Sequence, residues 1–190
     1  MRLPKLKYED YTARQKEVAD KHTARRDRIG GPYHVWIHSP ELFEKASAIS
    51  NYMRFDCGLP VKLREFGILV TARYWDAQYS WNAHSEKALK FGLPQSVIDE
   101  LARNETPVFK AEDERVFYEL CMEMLDSHFV TDATFEKARE LFGVQGIVDA
   151  VGCMGNFSML AMCLNTFRVD LQPDRKPPFP DIRGYERISP

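Results

Sequence analysis

Apolar residues recur at intervals of three and four along most of the chain, and no stretch alternates apolar and polar positions over the length of a strand. The densest case is residues 63–90. Its first half sets Leu63, Phe66, Leu69 and Val70 on one helical stripe, and its second half gathers Tyr74, Trp75, Tyr79 and Trp81 around His84. Upstream, residues 8–28 predict a solvated helix with sparse apolar positions at Tyr8, Tyr11 and Val18, stopped by Gly30-Gly31-Pro32. Ser39 as N-cap and Pro40 in the first turn open a helix whose stripe reads Leu42, Phe43, Ala46, Ile49, Tyr52, Met53, ending at Cys57-Gly58. Downstream, Gly92 is a C-cap signal and Pro94 starts a short helix through Val97, Ile98 and Leu101. Residues 104–110 read as a connector, and residues 111–127 as a helix burying Val116, Phe117, Leu120, Met124 and Leu125. Thr131 or Asp132 caps a further helix that Gly143 closes. Residues 144–167 are almost continuously apolar, with small residues at Gly146, Ala150, Gly152, Gly155 and Ala161 that permit close helix approach. Helical signals without a strand predict an all-α fold.

Composition narrows the class. A chain of 190 residues with 44% apolar and 28% charged side chains fits one soluble domain, 1–190, with a helical arm at 1–30 and a Pro-rich tail at 171–190. That tail is expected to wrap the surface or reach a partner chain. The net charge of −2 gives no reason to expect nucleic acid. Basic residues are spread along the chain, apart from a short cluster at Arg25, Arg26 and Arg28. The first ten residues hold no apolar signal segment, and no apolar run looks long enough to span a bilayer, so the expected location is the cytoplasm and no membrane partner is expected. Cys57, Cys121, Cys153 and Cys163 lie far apart and read as buried apolar residues. His34 and His38 have a four-residue spacing, but no Glu joins them and prolines crowd them, so no metal site is predicted.

Glu65 is the only acid in the apolar half of residues 63–90. Burying an unpaired carboxylate costs several kcal/mol, so Glu65 must be solvated, paired or functional. In one straight helix it would lie roughly 28 Å from His84, at ~1.5 Å per residue. A break near residues 75–77 would fold the halves into a hairpin and bring the two together, with Asp76 capping the second helix.

Glu65, a variable helix and then His84 resemble the carboxymuconolactone decarboxylase and alkylhydroperoxidase D-like superfamily. In its peroxidase branch the glutamate is followed by C-x-x-C-x-x-x-H. Glu65 and His84 match that pattern here, while Ala77 and Ser80 stand at the cysteine positions. The runs GPYHVWIHSPEL, ILVTARYWDAQYSW and MCLNTF are similar to a longer, cysteine-free branch, and together they cover most of residues 30–180. In that branch the tripeptide at 79–81 usually reads Tyr-Glu-Trp, from which Ser80 departs.

The resemblance implies an alkylhydroperoxidase D-like helical bundle, assembled as a homo-oligomer, a trimer or hexamer. It implies cofactor-free lyase chemistry on a small carboxylated or lactone substrate, with Glu65 and His84 as the catalytic pair. Arg64 or Arg73 would grip a carboxylate, and Tyr33, Trp36, His38, Tyr79, Ser80, Trp81 and Asn165 are the candidate pocket residues. A thiol peroxidase is the weaker alternative, because its relay needs two cysteines that this motif lacks. A non-catalytic binder of an aromatic molecule, lined by Trp36, Trp75, Tyr79, Trp81 and Phe157, is another.

Overall fold

In the computed structural model, which describes residues 1–180, all regular structure among the described residues is helical. The all-α expectation holds. Helix α1 (Ala13–Thr23) begins where the Thr12 hydroxyl accepts the Gln15 N–H and the Gln15 side chain accepts the Thr12 N–H. This reciprocal cap makes it shorter than the sequence suggests, and residues 8–10 form a separate 3-10 turn. Its apolar side buries Val18, Ala19 and His22 against α3 (Pro40–Asn51). Between them α2 (Tyr33–Trp36) is a single turn that seats Tyr33 and Trp36 in the core.

The predicted α3 stripe needs correcting: Leu42, Ile49 and Tyr52 are exposed, whereas Phe43, Ala46, Ser47, Ser50 and Met53 face inward. Polar bonds set this rotation. Ser50 donates to Asn156 Oδ1 at 3.0 Å, and Tyr52 reaches outward to donate to Asp149 at 2.9 Å. A π-helical turn over residues 52–56 then carries the chain to α4.

Helix α4 (Val61–Tyr74) is the axis of the molecule, with residues 63–73 all buried. It packs against α5 (Gln78–Lys90), α6 (Gln95–Ala102), α7 (Glu112–Met122) and α8 (Asp132–Thr166). Phe66, Leu69, Phe117 and Leu120 form the middle of that packing, each burial contributing about 2 kcal/mol. Gly67 permits the close approach of α4 and α7, since a Cβ there would lie 3.0 Å from the Phe117 ring. A second cluster joins Val18, Tyr33, Ile37 and Phe43 to Leu160 and Leu164.

Thr131 caps α8 as expected, accepting the Thr134 N–H, and the predicted stop at Gly143 is a break with φ 67° and ψ 173° after which the helix resumes. By length and composition α8 could span a bilayer, which corrects the sequence expectation. Within the fold 56% of its most apolar window is buried, and those contacts account for its composition. The tail, as far as residue 180, lies along α5 of its own chain. Gln78 and Asn82 donate to the carbonyls of Phe179 and Lys176, and Gln172 donates to that of Tyr79. Residues 181–190 of the predicted tail lie outside the described residues.

Candidate active site

Helices α4 and α5 form the predicted hairpin, joined through Asp76 in the left-handed region at φ 50°. Asp76 does not cap α5 as the sequence suggested. Ala77 occupies the N-cap position without a side-chain bond, and the Asp76 carboxylate pairs with Arg73 instead. Asn165, a predicted pocket residue, donates to the Trp75 carbonyl at 2.6 Å, and Trp75 Nε1–H donates to Ser158 at 3.0 Å. The turn is thus tied to α8.

Glu65 lies about three turns before the bend and His84 just over two turns after it, so antiparallel helices bring them side by side. His84 Nδ1 is 2.6 Å from Glu65 Oε2. Both border a cavity of about 620 Å³ that also touches Tyr33, Ser80, Tyr79 and Phe157. The Phe157 ring meets the imidazole edge to face at 5.1 Å.

Burial pushes the Glu65 carboxyl up, but the His84 hydrogen bond and the charges of His84, Lys87 and Arg64 outweigh it, and the net direction is down. Burial pushes His84 down by more than Glu65 raises it. The depression of Glu65 draws on a charged His84, whereas burial opposes that charge. Burial governs a ring this enclosed, so we take the pair as an ionised carboxylate and a neutral imidazole. An ionised carboxylate can only accept, so Nδ1 carries the proton and Nε2 keeps its lone pair for a ligand.

Of the predicted anchors, Arg64 borders the cavity and Arg73 does not. The Arg64 guanidinium is buried, its Nε–H has no hydrogen-bond partner among the described residues, and its approach to Glu65 Oε1 is loose at 3.9 Å. Arg73 is occupied elsewhere, by Asp76, the Ala102 carbonyl and the Phe179 ring 4.5 Å beneath it. Trp81 is buried edge-on against Phe179, and Trp36 lies in the core against Tyr33, both away from the cavity. His38 is exposed and bonds the Pro4 carbonyl. Aromatic character alone did not reveal which helix face each ring occupies.

The sequence reading missed the basic wall. Arg25, Arg26, Arg28, Arg54, Arg64 and Lys87 all border the cavity, against the acids Asp27 and Glu65. The Arg25–Arg28 cluster was the available signal, but its meaning depends on Arg54 and Lys87, which only the fold brings beside it. Phe55 serves as a platform: the guanidinium carbons of Arg25 and Arg54 lie 5.3 Å from its ring centre. No cluster of three or more His, Cys, Asp or Glu side chains able to hold a metal occurs among the described residues.

The carboxymuconolactone decarboxylase family model matches residues 40–118, the segment that carries both members of the Glu65–His84 pair. That segment is similar to the family over less than half of the chain. An uncharacterized peroxidase-related protein from Ralstonia eutropha with an alkylhydroperoxidase AhpD core superposes with a TM-score of 0.74 at 19% identity, covering 90% of this chain and 92% of its own. A protein of unknown function from Agrobacterium tumefaciens, described as a candidate AhpD antioxidant defence protein, gives 0.59 at 22% identity over 73% and 95%. At these identities the likeness is one of fold. No curated protein matches. At the positions of the two cysteines in the resembled peroxidase motif, the chain carries Ala77 and Ser80.

Proposed function

We propose that the chain is a lyase that moves protons with its own side chains on a small carboxylated or lactone substrate. The observation that carries this reading is the 2.6 Å Glu65–His84 contact beside the unpartnered Arg64 Nε–H in one cavity. Arg64 would bind a carboxylate through charge-assisted hydrogen bonds. His84 Nε2 would take a proton from the substrate and, as an imidazolium steadied by Glu65, return it to the carbon that loses CO2. The basic wall favours an anion over a neutral ligand.

Thiol peroxidase chemistry is the weaker reading for this chain. Burial holds Cys153 and Cys163 up at about 12 and drives Cys121 higher still, whereas a thiol relay needs a thiolate at neutral pH. A panel of carboxylated lactones and aromatic acids, assayed for CO2 release, tests the proposal. His84→Ala should lower turnover by roughly 10²–10⁴-fold and Glu65→Gln by less. Unchanged turnover in His84→Ala, or peroxide consumption traced to one cysteine, would overturn it.

A further inference from the structure

The face of α5 that carries His84 also carries Ser80, Ala83 and Lys87, and all four border the cavity. Lys87 follows His84 by three positions, which makes the two side chains neighbours on that face. Lysines near the end of a helix normally reach into water or pair with an acid. Lys87 is half-buried, and no carboxylate lies within 4.0 Å of its Nζ among the described residues. Glu65, the nearest acid on α4, is held by His84. The other charged groups around Lys87 are Arg26 from the segment after α1, Arg54 from the π-helical turn, and Arg64 on α4. An amine enclosed among cations, beside a histidine and with no acid partner, is in the setting that turns a lysine into a nucleophile.

We infer that Lys87 is a Schiff-base residue and that the substrates of this cavity include 3-oxo acids. The inference rests on the reading of the cavity as a carboxylate site. The free amine adds to the ketone carbon, the C–N bond forming as the carbonyl pair moves to oxygen. His84 relays a proton from nitrogen to that oxygen, a second proton passed from solvent through His84 completes the leaving water, and the iminium remains. The bond from the α carbon to the carboxylate then breaks. Its electron pair enters the iminium to form an enamine, and CO2 departs. A proton returns to the α carbon, and water hydrolyses the imine to release the ketone and restore the amine. Burial and the neighbouring arginines lower the affinity of Lys87 for its proton, which supplies the free amine at milder pH than an exposed lysine would.

The test is reductive trapping. The full-length protein is incubated with acetoacetate and cyanoborohydride, digested, and mapped by mass spectrometry. The expected product is an isopropyl group on Lys87, the mark of CO2 loss before reduction, formed faster than on exposed Lys90 of the same helix. Lys87→Arg, which keeps the charge and lacks a nucleophile, should lose both the label and acetoacetate turnover while melting at the same temperature. Labelling spread evenly over surface lysines, or full turnover in Lys87→Arg, would overturn the inference. If Lys87 stays unlabelled while the lactone panel still depends on His84, this inference falls and the proton-transfer reading stands. If Lys87 is labelled while His84→Ala turns over the lactone panel normally, the reverse holds.

Discussion

Gly31 has φ 57°, and a Cβ there would lie 2.6 Å from the Tyr79 ring. Gly31→Ala therefore combines left-handed strain with a clash. It should cost about 1–3 kcal/mol and shift Tyr79 at the cavity, read as a lower melting temperature and a raised KM. His22 is a different kind of residue. Burial first, and the Arg26 guanidinium second, push it from its ordinary 6.5 down to about 4. Between those values the unfolded chain binds a proton that the folded chain does not, so stability is full above the upper value and falls as pH drops toward the lower. The loss should approach roughly 2–3 kcal/mol, and His22→Gln should flatten the slope of unfolding free energy against pH across that window. A slope unchanged by the substitution would assign the effect to other groups. Nothing in the local sequence announced either residue: a glycine before proline reads as a stop signal, and a histidine in a charged helix reads as solvated.

At the scale of the element, the α4–α5 hairpin was legible because Glu65 and His84 make sense only if the helix breaks between them. How it breaks was hidden. Asp76 adopts a conformation that propensity disfavours, held by Arg73 from α4 and by Asn165 and Ser158 from a helix more than eighty residues away in sequence. Arg73 was misread as an anchor for the same reason, since its partners come from the turn, from Ala102 and from Phe179. The α4–α7 contact gives a test of packing. Gly67→Val would force carbon atoms into the Phe117 ring, already 3.0 Å from the first of them. Overpacking of that kind costs about 1–3 kcal/mol, and denaturant melts should show it as a lower midpoint with an unchanged slope. An unshifted midpoint would mean that α7 gives way freely.

The whole molecule leaves Val144, Val148, Val151 and Met162 exposed along α8. An apolar stripe of that length on a core helix is what a self-associating surface looks like. We expect light scattering to report a multiple of 22.1 kDa, and Val148→Glu to lower it. A monomeric wild type at micromolar concentration would refute this. The all-helical architecture was readable from periodicity, but the basic wall of the cavity was not, because Arg25–Arg28, Arg54 and Lys87 meet only through tertiary packing. The strap over α5 bears on the order of assembly. Gln78 and Asn82 bond carbonyls 101 and 94 residues further along the chain. A polypeptide leaving the ribosome N-terminus first completes α5 long before those carbonyls exist. Helical signal should therefore grow early in synthesis, while slow hydrogen exchange at His84 waits until the strap has emerged. The nascent chain would pass most of its synthesis with its early helices formed and the cavity face of α5 unset.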